Sequence, residues 1–291
     1  MASPAEWLAG ARPRTLPAAL SPVIAGAGVA AWADALSWWR TLLCFVVSLA
    51  LQIGVNYAND YSDGVRGTDD DRVGPARLTG SGAARPGAVK AAAFACFGVA
   101  GAAGLVLAAT TAWWLVAVGV LCVLAAWFYT GGSHPYGYHG LGEVMVFVFF
   151  GLVAVIGTVY VQTETWEWGA LWGGIGVGSL ACALLVANNL RDIPTDEAAG
   201  KRTLAVRLGD QSSRELYLAL VAVALIAVFG VALTTSWLAL VGLLFMVVAS
   251  KGVQTVTTTK NKGPALIPAL QQTGLAELMW AFFVGVPLFF A

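Results

Sequence analysis

The sequence predicts an all-α polytopic membrane protein of about nine transmembrane helices, and three observations carry that prediction. Hydrophobic residues make up 58% of the chain and charged residues only 11%, against about 25% charged in ordinary soluble chains. Mean hydropathy is +0.76. Apolar runs near the length that a bilayer core demands, roughly 20 residues, recur from end to end. The charges that remain sit between these runs and are sorted by sign.

The runs are Leu16–Ala31, Leu42–Ala58, Val89–Thr110, Trp113–Tyr129, Leu141–Val161, Ala170–Leu190, Leu216–Leu233, Trp237–Val253 and Ile267–Phe290. The first lacks a small-residue cleavage pattern and is followed at once by the second, so it reads as a span and not as a signal peptide. With the N-terminus on the cytoplasmic side, the inner segments are 1–15, 61–88, 130–140, 191–215 and 254–266. They and their borders hold 15 of the 16 Lys and Arg residues, Arg40 being the exception. That asymmetry predicts N-terminus in and C-terminus out, in a multi-pass protein of the cell (plasma or inner) membrane. The opposite turns are short and hold Asp34, Glu164 and Glu167.

A formal net charge of zero gives no footprint for nucleic acid; the expected surroundings are a lipid bilayer. Cys44, Cys96, Cys122 and Cys182 all lie inside apolar runs, without metal or disulfide spacing, and read as small buried hydrophobes. No linker or change of composition divides the chain, so residues 1–291 are expected to form one membrane-embedded domain.

Polar residues concentrate in the inner segments, and there the sequence repeats itself. The second run ends Asn59-Asp60-Tyr61-Ser62-Asp63, and the sixth ends Asn188-Asn189-Leu190-Arg191-Asp192, with Asp196 beyond. Both contain Asn-x-x-x-Asp, four spans apart. A duplicated four-helix unit plus one further helix would account for nine spans. A spacing of four puts Asn59 and Asp63 on one helix face, and Asn188 and Asp192 likewise; Asp60 joins the first set. Pro194 is expected to bend or end the helix and leave Asp196 reaching in from a loop.

Carboxylates at the end of a membrane helix are costly and mark a polar path or site. Oxygen donors from two helices suit Mg2+, which takes one or two carboxylates together with phosphate oxygens and water. Asn59, Asp60, Asp63, Asn188, Asp192 and Asp196 are therefore the candidate metal ligands around a diphosphate. Arg72, Arg77, Lys201 and Arg202 are the candidate cations for its remaining oxygens.

With these motifs the chain resembles the UbiA-type intramembrane prenyltransferases over nearly its whole length. Their Asn-Asp-x-x-Asp motif after the second helix is Asn59 to Asp63 here, and their Asp-x-x-x-Asp motif after the sixth is Asp192 to Asp196. Where the family often has another Asp four beyond the first motif, this chain has Gly67, with Asp69 the nearest replacement. That departure is similar to one branch, the 1,4-dihydroxy-2-naphthoate polyprenyltransferases of menaquinone synthesis, whose first motif matches from Asn59 to Asp69 and continues to Gly74-Pro75 and Arg77. Tyr138 to Glu143 and Gly200 to Gly209 fit the same branch.

The resemblance implies a UbiA-like helical bundle, Mg2+ as cofactor and decarboxylative prenylation. A polyprenyl diphosphate loses diphosphate, the ring carbon that bore the naphthoate carboxyl takes the chain, CO2 leaves and demethylmenaquinone forms. In that scheme Asp60, Asp63, Asp192, Asp196 and Lys201 are the catalytic candidates. Asn59, Arg72, Arg77, Tyr129, Tyr138, Glu143, Asn188 and Arg202 are the substrate-binding candidates. Tyr129, Tyr136, Tyr138, Phe147 and Phe149 could face an allyl cation, and Glu143 could orient the naphthoate hydroxyls or move a proton. His134 and His139 show no ligand spacing and receive no role. Competing readings are another aromatic acceptor such as 4-hydroxybenzoate, a chlorin or haem, or a secondary transporter with paired acidic groups in two repeats. Asp60-x-x-Asp63-Gly64 also resembles the start of the CDP-alcohol phosphotransferase motif, whose continuation is missing here.

Overall fold

The computed structural model describes residues 2–67 and 77–291, so Asp69, Arg72, Gly74 and Pro75 lie outside the described residues. The helices are α1 (Pro4–Gly10), α2 (Pro17–Trp32), α3 (Trp38–Arg66), α4 (Pro86–Ala109), α5 (Trp114–Phe128), α6 (Gly142–Thr163), α7 (Trp168–Ala198), α8 (Leu204–Thr234), α9 (Trp237–Thr257) and α10 (Gly263–Phe290). The described residues form no strand. Seven helices, α3, α4 and α6 to α10, are long and apolar enough to cross a bilayer. The segment Pro4–Thr15 joined to α2 through a 51° bend makes an eighth, and α5 is shorter, at 15 residues.

Local sequence explains the helix ends. Pro4, Pro17 and Pro86 each open a helix, where a missing N–H costs nothing. Ser3 and Glu6 close a reciprocal capping box on α1. Gly67 stops α3 at φ +71°, a left-handed conformation that glycine adopts at no steric cost. At the end of α7, Gly200 (φ +72°) receives the turn while its N–H reaches the Glu197 carbonyl and the Lys201 N–H reaches that of Asp196. This double closure swings Lys201 back over the helix end.

The expected break at Pro194 is corrected. Proline sits inside α7, which continues to Ala198. Pro194 deprives the helix of one N–H, but the Thr195 hydroxyl donates to the Asp192 carbonyl at 2.9 Å and the glycine closure completes the last turn. Asp196 thus stands on the helix, one turn beyond Asp192 and on the same side.

α7 is the centre of the bundle. Burial covers 72% of its apolar window, more than for any other span, and it packs against α2, α6, α8 and α10. Within α6, residues Phe147–Val153 form a π-helical stretch whose Gly151 meets the backbone of Gly174 and Gly178 on α7.

The two ends of the bundle differ. At one end Arg40 donates to the carbonyls of Val161 (2.7 Å) and Thr110 (2.9 Å) and pairs with Glu164 at 3.5 Å, tying three turns together. Trp38, Trp39, Trp113, Trp114, Trp166, Trp168 and Trp237 are exposed there, as interfacial tryptophans are. At the other end Arg66 donates to the Thr130 and Gly132 carbonyls, and the Arg202 N–H to Tyr138. Arg214, also at that end, holds Val256, Thr258 and Asn261 through their carbonyls.

Candidate active site

The site is built from the last turns of α3 and α7, closed over by the segments that follow α3, α5 and α7. Along α3, Gln52, Asn56, Asn59 and Asp63 fall on one face at helical spacing. Gln52 donates to Thr15 Oγ1 at 2.9 Å, and Asn56 to Thr15 Oγ1 at 3.0 Å and to the Ala11 carbonyl at 2.9 Å. These bonds dock the junction of α1 and α2. Asn59 Oδ1 accepts from Thr130 Oγ1 at 2.7 Å.

Asp63 gathers the strongest set of partners. Its Oδ2 lies 2.9 Å from Arg77 Nη1 and 3.6 Å from Lys201 Nζ, and its Oδ1 accepts from the Tyr138 hydroxyl at 2.5 Å. Arg12 adds a further positive charge within range. The Tyr138 ring lies 4.8 Å from the Lys201 ammonium and 5.6 Å from the Arg66 guanidinium, close enough for cation–π attraction. Arg77 also donates to the Asn59 carbonyl at 3.1 Å.

Asp60, expected among the metal ligands, is turned elsewhere. Its two oxygens accept from the N–H groups of Leu78 and Thr79, each at 2.8 Å, and the residue is 1% exposed. The side chain pins the segment that carries Arg77: although a spacing of three leaves Asp60 only about 60° round the helix from Asp63, both its oxygens are taken up by that segment's backbone.

On α7, Arg191 clamps the second cluster. Its Nε and Nη2 lie 2.7 and 2.5 Å from the two Asp192 oxygens, and Nη2 donates to Asn188 Oδ1 at 2.9 Å. Asp196 lies within electrostatic range of Lys201, Asp192, Asp63 and Arg191. The two clusters therefore share one space, with Lys201 reaching both. Arg202 contributes its main chain here, its N–H donating to the Tyr138 carbonyl at 3.0 Å, while its side chain is exposed.

Deeper in, Glu143 is buried and accepts from Asn189 Nδ2 at 2.9 Å through Oε1, while Oε2 has no hydrogen-bond partner among the described residues. Tyr129 lies within electrostatic range of Glu143, Asp63 and Asp196 and packs edge-on to Tyr136 at 5.5 Å. Burial, reinforced by the Glu143 charge, pushes the Tyr129 phenol well above its ordinary value, and burial alone does the same to Tyr136. Both stay neutral hydroxyl donors. Phe147 packs against Gly178 at the start of the π-helical stretch, which also carries Phe149.

Sequence reasoning missed Arg191, Arg12 and Asn189. Arg191 could have been found as the one cation inside either Asn-x-x-x-Asp string. Arg12 and Asn189 carry no local signal, since a long-range approach makes each relevant.

The donor set fits a hard cation. Asn59, Asp63, Asn188, Asp192 and Asp196 offer only oxygen, and the adjoining Arg77, Arg191 and Lys201 match an anion that would bring more. Among the described residues no three His, Cys, Asp or Glu side chains converge as a ready-made centre. That is the pattern for Mg2+ shared with a phosphorylated substrate and not for an all-protein cage.

Fold and site define an intramembrane helical-bundle protein with a facing pair of Asn/Asp clusters, bridged by cations, at one end. The chain belongs to the UbiA prenyltransferase family, whose model matches residues 19–267. It is 55% identical over 290 residues to the 1,4-dihydroxy-2-naphthoate octaprenyltransferase of Mycobacterium tuberculosis (strain ATCC 25618 / H37Rv), covering 100% of this chain and 99% of that protein. The apo structure of a UbiA homolog from Aeropyrum pernix K1 superposes with a TM-score of 0.71 at 15% identity, over 93% of this chain and 96% of the other. A UbiA homolog from Archaeoglobus fulgidus bound to GPP and Mg2+ gives 0.70 at 14% identity, over 98% and 100%. The expected all-α, polytopic, UbiA-like bundle is therefore present.

Proposed function

We propose that this chain transfers a polyprenyl group from polyprenyl diphosphate to 1,4-dihydroxy-2-naphthoate, with loss of diphosphate and CO2. The ring leaves in its dihydroxy form, and its oxidation gives demethylmenaquinone. The single observation that carries the reading is that Lys201 reaches both clusters, 3.6 Å from Asp63 on one side and within electrostatic range of Asp196 on the other. The acceptor comes from the relative that shares 55% of this sequence over its whole length.

In this reading Asn59, Asp63, Asn188, Asp192 and Asp196 hold Mg2+, which when bound supplies positive charge to the leaving diphosphate. Arg77, Lys201 and Arg191 bind the remaining phosphate oxygens, with the exposed Arg202 at the rim; Arg72, outside the described residues, is a further candidate for them. Asp60 keeps the loop bearing Arg77 in place. The bond from the prenyl carbon to the diphosphate oxygen breaks, and its electrons leave with the diphosphate. Fixed cations stabilise that growing charge without reorganising. Tyr129 and Tyr138, with Tyr136, Phe147 and Phe149, wall the allyl cation and exclude water. Glu143 Oε2 accepts a ring hydroxyl of the acceptor. The carbon bearing the carboxylate attacks the allyl cation, and the carbon–carboxyl bond then supplies the electrons that restore the aromatic ring as CO2 departs.

The same reading places the site on the cytoplasmic side of the cell membrane, with the N-terminus inside. It is supported by the basic residues gathered at the site end and the exposed tryptophans at the other. It takes α5 as the ninth span and residues 1–291 as one domain of two four-helix units plus one helix.

The test is purified protein in lipid nanodiscs with Mg2+, a polyprenyl diphosphate and dihydroxynaphthoate, following diphosphate and CO2 together. Equal release of both is expected. Asp63→Asn and Asp192→Asn should each lower turnover by about 100-fold or more, as loss of a charge-stabilising group does. Near-normal turnover in either variant overturns the site. Product formation that leaves the acceptor carboxyl in place, as with 4-hydroxybenzoate, overturns the acceptor.

A further inference from the structure

The seam between α7 and α10 holds buried polar groups that the chemistry above does not use. Trp280 on α10 packs against Gly176 on α7 so closely that a Cβ there would come within 2.2 Å of the ring. The indole N–H also donates to the Ala224 carbonyl at 2.9 Å, which fixes the register. Further along α7, Cys182 lies within electrostatic range of Glu277 on α10, so residue numbers rise on one helix as they fall on the other. One turn from Gly176 on α7 is Ser179, and one turn from Trp280 on α10 is Glu277.

Both residues are 0% exposed, and neither the Ser179 hydroxyl nor either Glu277 oxygen has a hydrogen-bond partner among the described residues. Their surroundings are apolar: Val177, Leu180, Ala183 and Ala276 are buried in the same core. Cys182 joins this pair to the site. Its thiol donates to the Glu143 backbone carbonyl at 2.9 Å, and it feels the carboxyl groups of both Glu143 and Glu277.

Buried polar groups are nearly always hydrogen-bonded, to protein or to ordered water. Ser179 and Glu277 together offer the two to four polar partners that an internal water needs. We propose that Ser179 and Glu277 bind water in the α7–α10 seam and that Glu277, acting through Cys182, is a positioning residue for Glu143. Cys182 has a single S–H to give. With water satisfying Glu277, that S–H stays on the Glu143 carbonyl and fixes the first turn of α6. The Glu143 carboxyl, already held by Asn189, then keeps the orientation in which Oε2 meets the acceptor hydroxyl. No bond is made or broken in this role. The proposal rests on the assignment of Glu143 to the acceptor.

The experiment compares wild type, Glu277→Leu, Glu277→Gln, Ser179→Ala, Cys182→Ala and the Cys182→Ala/Glu277→Leu pair at saturating Mg2+, varying each substrate in turn with the other saturating. Glu277→Leu should lower kcat/KM for naphthoate about tenfold while the KM for prenyl diphosphate stays at the wild-type value. Glu277→Gln, which can still bind water, should recover most of the loss. The pair should be no worse than its worse member, because groups acting in series are not additive. Wild-type kinetics in Glu277→Leu, or full additivity in the pair, overturns the proposal. If Glu277→Leu does not fold, judged by its thermal transition, Ser179→Ala and the Cys182→Ala/Ser179→Ala pair decide by the same criteria. Failure of the acceptor assignment would show separately, as wild-type enzyme that does not turn over naphthoate.

Discussion

The Arg77 guanidinium lies 2.9 Å from the Asp63 carboxylate, and both side chains are almost fully buried, at 8% and 4% exposure. Removing one member of such a pair strands the other charge. Arg77→Ala should therefore destabilise the protein by about 3–5 kcal/mol and raise the KM for prenyl diphosphate. Thermal unfolding in detergent and steady-state kinetics check the two effects. Unchanged stability would mean that Asp63 finds full compensation elsewhere.

Arg191 competes for the same oxygens that the metal is proposed to use, since it spans Asn188 and both oxygens of Asp192. Arg191→Ala should shift the Mg2+ activation curve to lower concentration. The KM for prenyl diphosphate should rise roughly tenfold, the loss of one charge-assisted hydrogen bond. The two parameters move in opposite senses, and a Mg2+ curve shifted upwards would count against the clamp.

At the opposite end, Arg40 ties the turns after α2, α4 and α6 through the Thr110 and Val161 carbonyls. Arg40→Ala should cost about 1–3 kcal/mol of stability, the usual penalty for unsatisfied buried groups. Both substrate KM values should be unaffected, because no site residue is touched. Differential scanning fluorimetry beside kinetics gives the answer, and a changed KM would place Arg40 in communication with the site.

The comparison of Asp60 with Asp63 shows how far a motif can be read. In sequence they are two equal carboxylates of one string. The path of the returning segment gives Asp63 to Arg77, with Lys201 and Tyr138 joining from elsewhere, and gives Asp60 to the backbone of Leu78 and Thr79. Pro194 is the converse: its local rule predicts a break, yet the following turn of α7 is closed by Thr195 and the Gly200 turn, which outweigh one missing N–H.

The sequence by itself determined that the chain is a membrane-embedded helical bundle, because apolar runs of spanning length leave the backbone no other way to satisfy its hydrogen bonds in lipid. It also marked Asn59, Asp60, Asp63, Asn188, Asp192 and Asp196, because polar oxygens continuous with apolar helix are too costly to be incidental. Which cation holds which carboxylate was left to the tertiary structure. Arg77, Lys201 and Tyr138 reach Asp63 from segments 14 to 138 residues away, and only the folding of the segments after α3, α5 and α7 over the helix ends sets those distances. The same holds for Glu277. In sequence it is one acidic residue in the last apolar run, and only the packing of α10 on α7 sets it fully buried, without a hydrogen-bond partner among the described residues, within range of Cys182.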